Sequence, residues 1–349
     1  MSIEATAVCV VDVQGTVLMT ALVPTDPEAI AVALKPFAKT LRRVGHEAGA
    51  LSPWLHPELK AFGLPVVCLE TRHVRAAMAA QRNKTDAADA LGIAHILRTG
   101  WFRQAHVKTE TCYRLRLLLT QRRVLKRKFL DLVNTIRHSL KAFGVRLHKV
   151  GPAGFEWAVR DAVAEDRLTA ELMDAMLSAR AALWAQYLRL HDLVVQLVAR
   201  DELCRRYMRI PGVGPVTALT VRTAIGDPKR FRRSRNVAAY FGLTSKRWQS
   251  GTSIDVQGRI SKAGDPDVRR SLYEAATVAV ARKLVVIMHA MCRDGSEYTE
   301  VLGAGRVATD NRAGARRRPR IASCSGLTHD ARRTGRSLRL RRRERRRFA

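Results

Sequence analysis

The chain lacks the features of exported, membrane-spanning and zinc-binding proteins. No window reaches the ~18 uncharged apolar residues of a membrane span, and Asp12 and Gln14 interrupt the apolar run near the N-terminus, which has no basic segment ahead of it. The 6 cysteines are scattered without any C-x-x-C spacing, so neither a zinc site nor a disulfide framework is predicted. We therefore expect a cytoplasmic protein that does not bind membranes.

Acidic residues are scarce relative to basic ones. The 349 residues include 62 Lys and Arg against 31 Asp and Glu, which gives a formal net charge of +31. The stretch from Val301 onward holds 16 arginines and three acidic residues, and the remainder still carries +18. A field of this size attracts polyanions, so the charge predicts nucleic acid as the partner class.

The first hundred residues alternate strand-like and helix-like patterns. Residues 5–23 contain two β-rich runs that meet at Gln14-Gly15, which predicts a hairpin. Asp26-Pro27-Glu28 is typical of a helix start, and residues 64–70 form another apolar strand pattern. Strands that alternate with helices indicate an α/β layer fold.

The middle of the chain changes to long amphipathic helices. Apolar residues recur at helical spacing over 109–143, and a second long helix is predicted over 169–206. Two helices of this length would pair as a hairpin or coiled coil, within the chain or between subunits. A chain of 349 residues is longer than a single hydrophobic core usually supports, so more than one domain is expected. We predict an α/β domain over 1–104, a helical connector over 105–206, a mainly α domain over 207–298 and a basic, disordered tail over 299–349.

Three carboxylates in the first region are candidate metal ligands. Glu47 lies in Val44-Gly-His-Glu-Ala-Gly49, while Asp86 and Asp89 lie in Asn83-Lys-Thr-Asp-Ala-Ala-Asp-Ala90. The i, i+3 spacing places Asp86 and Asp89 on one helix face, and grouped carboxylates suit Mg²⁺. The alternative is that this pair belongs to a solvated face or caps the helix after Thr85, and spacing alone favours that alternative.

Two motifs in the third region carry the remaining chemistry. Pro211-Gly-Val-Gly-Pro215 resembles a helix-hairpin-helix turn, in which Gly212 and Gly214 would let backbone N–H groups approach a phosphate; a tight turn without a ligand is equally compatible. Residues 241–265 combine serines, among them Ser250, with basic side chains and Trp248. Such a block could activate a serine against a phosphodiester or simply contact phosphates. Its basic side chains are Lys246, Arg247, Arg259 and Lys262.

Six motifs in this order resemble the DEDD insertion-sequence transposases, the family numbered one-ten. They are the segments around Glu47 and around Asp86, then Ile210-Pro-Gly-Val-Gly-Pro215, Ala239-Tyr-Phe-Gly-Leu-Thr244, Gln249-Ser-Gly251 and Gly258-Arg-Ile-Ser-Lys-Ala-Gly-Asp265. The resemblance covers about residues 2–298. No single motif decides it, but six in register make coincidence improbable.

The resemblance implies an RNase-H/RuvC-like first domain that binds Mg²⁺ through an Asp-Glu-Asp-Asp tetrad, a coiled-coil-like connector and a serine-bearing transposase domain. Glu47, Asp86 and Asp89 match the second, third and fourth acidic positions, and Ser250 matches the serine. It further implies a nucleoid-associated homo-oligomer that joins element ends to target DNA with an element-encoded guide RNA.

Three departures from the family pattern predict impaired activity. The strand of the form Gly-(apolar)-Asp-x-Ser, which supplies the first aspartate, has no counterpart, and Asp12 is a poor substitute. Tyr273 begins a run that joins two family segments normally kept apart, which suggests an internal deletion. Family-like sequence ends near Tyr298, and the arginine-rich remainder resembles a frameshifted reading.

Three functions therefore compete. The first is a recombinase, or its degraded descendant, in which the carboxylates and Ser250 act on one DNA path. The second is a RuvC-like structure-selective nuclease, for which Ser250 is incidental. The third is a DNA- or RNA-binding protein without catalysis.

Overall fold

A computed structural model of the chain describes residues 2–81, 84–147, 150–251, 254–275 and 278–298. The predicted basic tail lies outside these residues. Among the helices described, none is long and apolar enough to cross a membrane.

The N-terminal region consists of short strands covered by helices on two faces. Its elements, in chain order, are β1 (Ala5–Val11), β2 (Val17–Pro24), α1 (Pro27–Leu34), β3 (Val44–Glu47), α2 (Ser52–Ala61), β4 (Val66–Leu69), α3 (Thr71–Ala77) and α4 (Asp86–Thr99). Helix α4 contacts β1 and β3, whereas α1 contacts β2 and α2 contacts β4. The predicted α/β layer arrangement is confirmed.

The predicted hairpin is formed by β1 and β2. The two strands pair antiparallel from Ala5 opposite Pro24 to Val11 opposite Val17. Asp12 closes the turn because its Oδ1 accepts hydrogen bonds from the backbone N–H groups of Gly15 (2.7 Å) and Thr16 (2.8 Å). Gly15 adopts a φ of +99°, which glycine tolerates without strain.

The strands do not form one continuous sheet. β3 pairs in parallel with β4, and within the described residues β1 and β3 are assigned to separate two-stranded sheets. The single sheet expected of an RNase-H-like domain is therefore divided between β1 and β3.

The connector is a helical hairpin within the chain. It comprises α5 (Glu110–Lys141), the short α6 (Phe155–Ala162) and α7 (Arg167–Arg200). Arg122 of α5 donates to the Tyr187 hydroxyl (2.7 Å) of α7, while Ile136 shares a buried cluster with Met173, so the two long helices run antiparallel. The second predicted helix extended to residue 206, but the helix ends at Arg200.

Asp201 separates this hairpin from the C-terminal region. Its Oδ1 accepts a hydrogen bond from Cys204 N (2.9 Å) and so caps a new helix. The C-terminal elements are α8 (Glu202–Met208), α9 (Pro215–Ile225), α10 (Arg235–Tyr240), β5 (Ser245–Ser250), β6 (Ile254–Ile260), α11 (Pro266–Ala275) and α12 (Val278–Asp294). The predicted mainly α composition is confirmed, but the antiparallel pair β5–β6 was not predicted.

Candidate catalytic and nucleic-acid sites

A cavity of about 1090 Å³ separates β1 from β3. Residues of both strands line it, and side chains of α1, α2 and α4 close it from the two helical layers. Glu47, Asp86 and Asp89 all belong to its lining. The structure thus brings the three predicted carboxylates to one cavity, although they come from distant parts of the chain.

Local structure explains how each carboxylate is placed. Glu47 is the last residue of β3 and is half-buried. Thr85 caps α4, with its Oγ1 accepting a hydrogen bond from Ala88 N (3.1 Å), so Asp86 and Asp89 occupy the first helical turn. Carboxylates are favoured there by the helix dipole. The alternative that Asp86 and Asp89 belong to a solvated face or cap the helix therefore also accounts for their position.

Asp12 lies at the opposite end of the same cavity. Arg43 Nη1, just before β3, donates to Leu97 O (3.2 Å), so the start of β3 lies beside the end of α4. Arg98 Nη1 donates to Val13 O (3.3 Å), which places Asp12 at that end as well. Hydrogen bonds from the Thr16 and Gly15 backbone hold the pKa of Asp12 below its usual range. Asp12 is therefore a turn residue and is not grouped with Glu47.

The carboxylate end of the cavity has the ligand chemistry of a magnesium site but not a complete ligand set. Hard oxygen donors from Glu47, Asp86 and Asp89 suit Mg²⁺. Within the part of the chain that the structure describes, no three or more His, Cys, Asp or Glu side chains are close enough together to hold an ion. Glu47, Asp86 and Asp89 thus share a cavity lining without forming a joint ion site among the described residues, and their metal role stays a prediction.

Sequence reasoning missed a buried polar network behind Glu47. His46 Nε2 lies 2.9 Å from His56 Nδ1, and Ser52 Oγ accepts a hydrogen bond from Gly49 N (2.9 Å). Burial lowers the pKa of His46, and burial together with His46 lowers the pKa of His56 to about 4. Both imidazoles are therefore neutral at pH 7. This network fixes the loop that follows Glu47; the only sequence signal was His46 within the β3 pattern.

The two glycines of the predicted phosphate turn have different roles. Gly212 has a φ of +84°, and a Cβ there would lie 2.5 Å from Ala275 O. Packing therefore requires glycine at this position. Gly214 precedes α9, and a Cβ at that position would meet no atom within 4 Å. A side chain could therefore be added at Gly214 but not at Gly212, and both glycines are exposed.

The predicted serine lies on an exposed β-ribbon. Ser250 ends β5, pairs with Ile254 and is exposed. Lys246 and Arg259 on the same ribbon are exposed as well. Arg247 differs because its Nε and Nη2 donate to both oxygens of Asp255 at 2.6 and 2.5 Å, which neutralises its charge.

The base of the ribbon is held by a close backbone crossing. Lys262 is exposed, adopts a φ of +53° and donates its backbone N–H to Gly242 O (3.1 Å). Arg269 Nη1 donates to Phe241 O (3.1 Å) and Ala263 O (2.8 Å). A Cβ on Gly242 would lie 2.2 Å from Ala263 O, so glycine is required there. The crossing fixes the direction in which the ribbon leaves the helical core.

The structure does not place Ser250 in the carboxylate cavity. All lining residues of the cavity belong to residues 6–98. The two candidate catalytic elements are thus separate surfaces of the described chain.

Comparison with known proteins matches two separate parts of the chain. Residues 2–144 match the profile of a DEDD transposase domain, and residues 204–290 match the transposase profile described as the IS116/IS110/IS902 family. DEDD-type domains of this kind have an RNase-H/RuvC-like fold and use divalent metal.

Individual relatives carry related names. The chain is 28% identical over 235 residues to the transposase for insertion sequence element IS1111A of Coxiella burnetii, covering 65% of this chain and 63% of that protein. It is 38% identical over 85 residues to the transposase for insertion sequence element IS1328 of Yersinia enterocolitica, covering 24% and 25%. A pilin gene-inverting protein of Moraxella bovis is 36% identical over 69 residues, 20% of this chain and 21% of that protein.

Some relatives match most of this chain, yet the chain spans only about three fifths of their length. It covers 57% of a putative transposase from Sinorhizobium fredii and 63% of the transposase from Coxiella burnetii. The two profiles together account for most of the described residues. The chain therefore contains a DEDD transposase domain and a second domain of the IS116/IS110/IS902 transposase family.

Proposed function

We propose that the chain is the recombinase of an insertion sequence, which binds DNA and exchanges strands at the element ends. The observation that carries this proposal is the lining of one cavity by Glu47, Asp86 and Asp89 in a chain that has both domains of a transposase family. The relatives named as transposases and as a pilin gene-inverting protein support DNA rearrangement as the reaction class.

In this proposal Glu47, Asp86 and Asp89 hold Mg²⁺ at the DNA backbone. A bound ion would polarise the phosphodiester and help to orient it. The carboxylates fix the position of the backbone relative to β3 and α4. They also keep this end of the cavity negative, so a phosphate approaches only together with a cation.

Ser250 acts as the nucleophile of strand exchange. Its exposed position at the end of β5 lets the Oγ reach a DNA backbone. The Oγ–P bond forms as the bond from phosphorus to the deoxyribose oxygen breaks, and the serine proton passes to solvent or to the leaving oxygen. Lys246, Arg259 and Lys262 stabilise the charge on the phosphate, and the N–H of Gly214 contacts a neighbouring backbone phosphate.

Two further partners belong to the proposal. The excess of 62 basic over 31 acidic residues supports simultaneous binding of DNA and an element-encoded guide RNA. We also propose a homo-oligomer, in which the ribbon of one subunit and the cavity of another face the same DNA.

The test combines strand exchange and Mg²⁺-dependent cleavage on DNA that carries the element ends. We expect Ser250→Ala to abolish strand exchange and leave DNA binding intact, whereas Ser245→Ala, the matched exposed serine at the start of β5, retains exchange. Glu47→Gln should abolish both exchange and cleavage. Cleavage in wild type without any exchange would favour a structure-selective nuclease, and DNA binding alone would favour a binding protein without catalysis.

A further inference from the structure

A cluster of basic side chains lies where the segment before α5 meets the helices of the C-terminal region. His106 and Lys108 belong to that segment, and Arg230 follows α9. Gly226, with a φ of +63°, lies against the first two: a Cβ there would be 3.7 Å from His106 Nε2 and 4.0 Å from Lys108 Cγ. The fold thus brings together basic groups from two distant segments.

Arg230 is held rigidly within this cluster. Its guanidinium carbon lies 4.2 Å from the ring centre of Phe231 and 4.4 Å from that of Tyr240. Its Nε donates to Ile225 O (3.2 Å), while Nη2 is buried without a hydrogen-bond partner among the described residues. A buried, oriented donor with no protein acceptor is costly, and the guanidinium fork is a group that binds the oxygens of a phosphate well.

Two carboxylates lie near the cluster. Asp265 forms an ion pair with Arg116 Nη2 at 2.6 Å, whereas Asp227, whose Oδ1 accepts a hydrogen bond from Lys229 N at 2.9 Å, acts on His106 through its charge. Over the described ranges, neither Lys108 nor Arg230 has an ion-pair partner. The positive charge of the cluster is therefore only partly balanced.

The electrostatics of the cluster agree with its geometry. Burial lowers the pKa of Lys108, and the charges of Arg116 and Arg230 lower it further, while Tyr240 and Asp265 oppose them. Burial also lowers the pKa of His106, with Arg230 and Lys108 adding to the effect and Asp227 opposing it. Like charges held close together destabilise the free protein, and a bound anion removes that repulsion.

We propose that Lys108 and Arg230, with His106 beside them, bind a phosphate of the DNA backbone. A phosphate oxygen can accept from the free Arg230 Nη2 while Lys108 supplies a point charge. The contact positions the backbone and carries no base sequence. The identity of the ligand as DNA rests on the proposed function, whereas the binding of a phosphate rests on these residues alone.

The first test measures thermal stability of the full chain in inorganic phosphate and in chloride at equal ionic strength. We expect phosphate to raise the Tm of wild type and of Lys229→Gln, a neighbouring exposed lysine. Lys108→Gln should lose that rise, and its Tm in chloride should equal or exceed that of wild type, because a half-buried and only partly balanced charge is removed. A phosphate response that persists in Lys108→Gln would overturn the site, as would a response lost equally in Lys229→Gln, which marks only an adventitious ion.

The second test measures the salt dependence of binding to a DNA duplex. Loss of one phosphate contact lowers the slope of log K against log salt by about 0.9, so Lys108→Gln should show this decrease and Lys229→Gln a smaller one. Equal slopes in the two variants would overturn the DNA contact and leave the proposed function standing. Absence of DNA binding in wild type would instead overturn the proposed function, while the phosphate response would still report on Lys108.

Discussion

The C-terminal helical region and the N-terminal strand region are packed to very different degrees. Tyr207, Phe241, Leu272 and Met288 are fully buried members of one large cluster that unites α7 to α12. In the N-terminal region the buried residues fall into two small clusters, one around Leu55 and one beside β4. The cavity of about 1090 Å³ lies in this second region.

This difference in packing leads us to expect a difference in stability between the two regions. Protein interiors are normally close-packed, with few voids larger than a water molecule, and side chains that border a void lose contacts on that side. Among the described residues, the edges of β1 and β3 that face each other also have no strand partner, which leaves backbone groups unpaired. We therefore expect the close-packed helical region to contribute more to the free energy of unfolding than the strand region that surrounds the cavity.

The largest expected effect comes from truncating one leucine in each region. Leu272→Ala should lower the free energy of unfolding by about 2–5 kcal/mol, because its close-packed site cannot collapse. Leu34→Ala, which borders the cavity, should cost about half as much, because part of its surface already lacks contacts. Chemical denaturation measures both, and equal losses would contradict the packing difference.

A strand added to the cavity should reduce the difference in packing and stability between the strand region and the helical region. We expect an extension ahead of Met1, with alternating apolar residues and the sequence Gly-x-Asp, to pair with β1 and β3. Burial of even one apolar side chain would raise the free energy of unfolding by about 1.5–3 kcal/mol. The new aspartate should also raise Mg²⁺-dependent activity above that of the unextended chain.

A scrambled extension of equal composition is the matched control, since it lacks the alternation that strand pairing requires. Equal stabilisation by both extensions, or full activity from the unextended chain, would show that the missing first aspartate of the tetrad is wrongly inferred.

A smaller, pH-dependent effect should arise from His56. Its pKa falls from the ordinary value of 6.5 to about 4 in the folded chain, so between these values the unfolded state binds more protons. Stability should therefore be complete above pH 6.5 and decrease as the pH falls towards about 4. His56→Gln should flatten this decrease, and the exposed His138→Gln should not. A profile unchanged by His56→Gln would show that other groups dominate.

The smallest effect is expected from substitutions on the β-ribbon formed by β5 and β6, which should change the salt dependence of DNA binding. Lys246→Gln should lower the salt slope of DNA binding by about 0.9 if that side chain contacts a phosphate. Arg247→Gln should change it less, because Asp255 already binds its guanidinium. Folding should change little in either case, since exposed ion pairs contribute at most about 1 kcal/mol. A larger slope change for Arg247→Gln would mean that DNA displaces Asp255.

Local patterns predicted most of the individual elements. The turn at Gln14-Gly15 led to the β1–β2 hairpin, and Asp26-Pro27 began α1 as expected from capping. The apolar stripe of residues 109–143 became α5. These signals succeed because they depend on neighbours within a few residues.

Features that depend on partners distant in sequence were predicted less well. The break at Asp201 was missed because the apolar periodicity continues across it, although its side chain caps a new helix. β5 and β6 were missed because exposed polar strands have little of the alternation that marks a half-buried strand. The basic cluster of Lys108 and Arg230 joins two segments that show no motif separately.

The sequence by itself determined the family, the helix caps and the candidate carboxylates, because these depend on residue type and short spacing. Only the tertiary structure decided that Glu47 and Asp86 line one cavity while Asp12 lies at its other end, and that Arg247 is neutralised while Lys246 is not. It also decided that a side chain at Gly212 would meet Ala275 whereas one at Gly214 would meet no atom within 4 Å. The physical reason is that charge balance, free volume and burial are properties of atoms brought together by the fold, and spacing along the chain does not specify them.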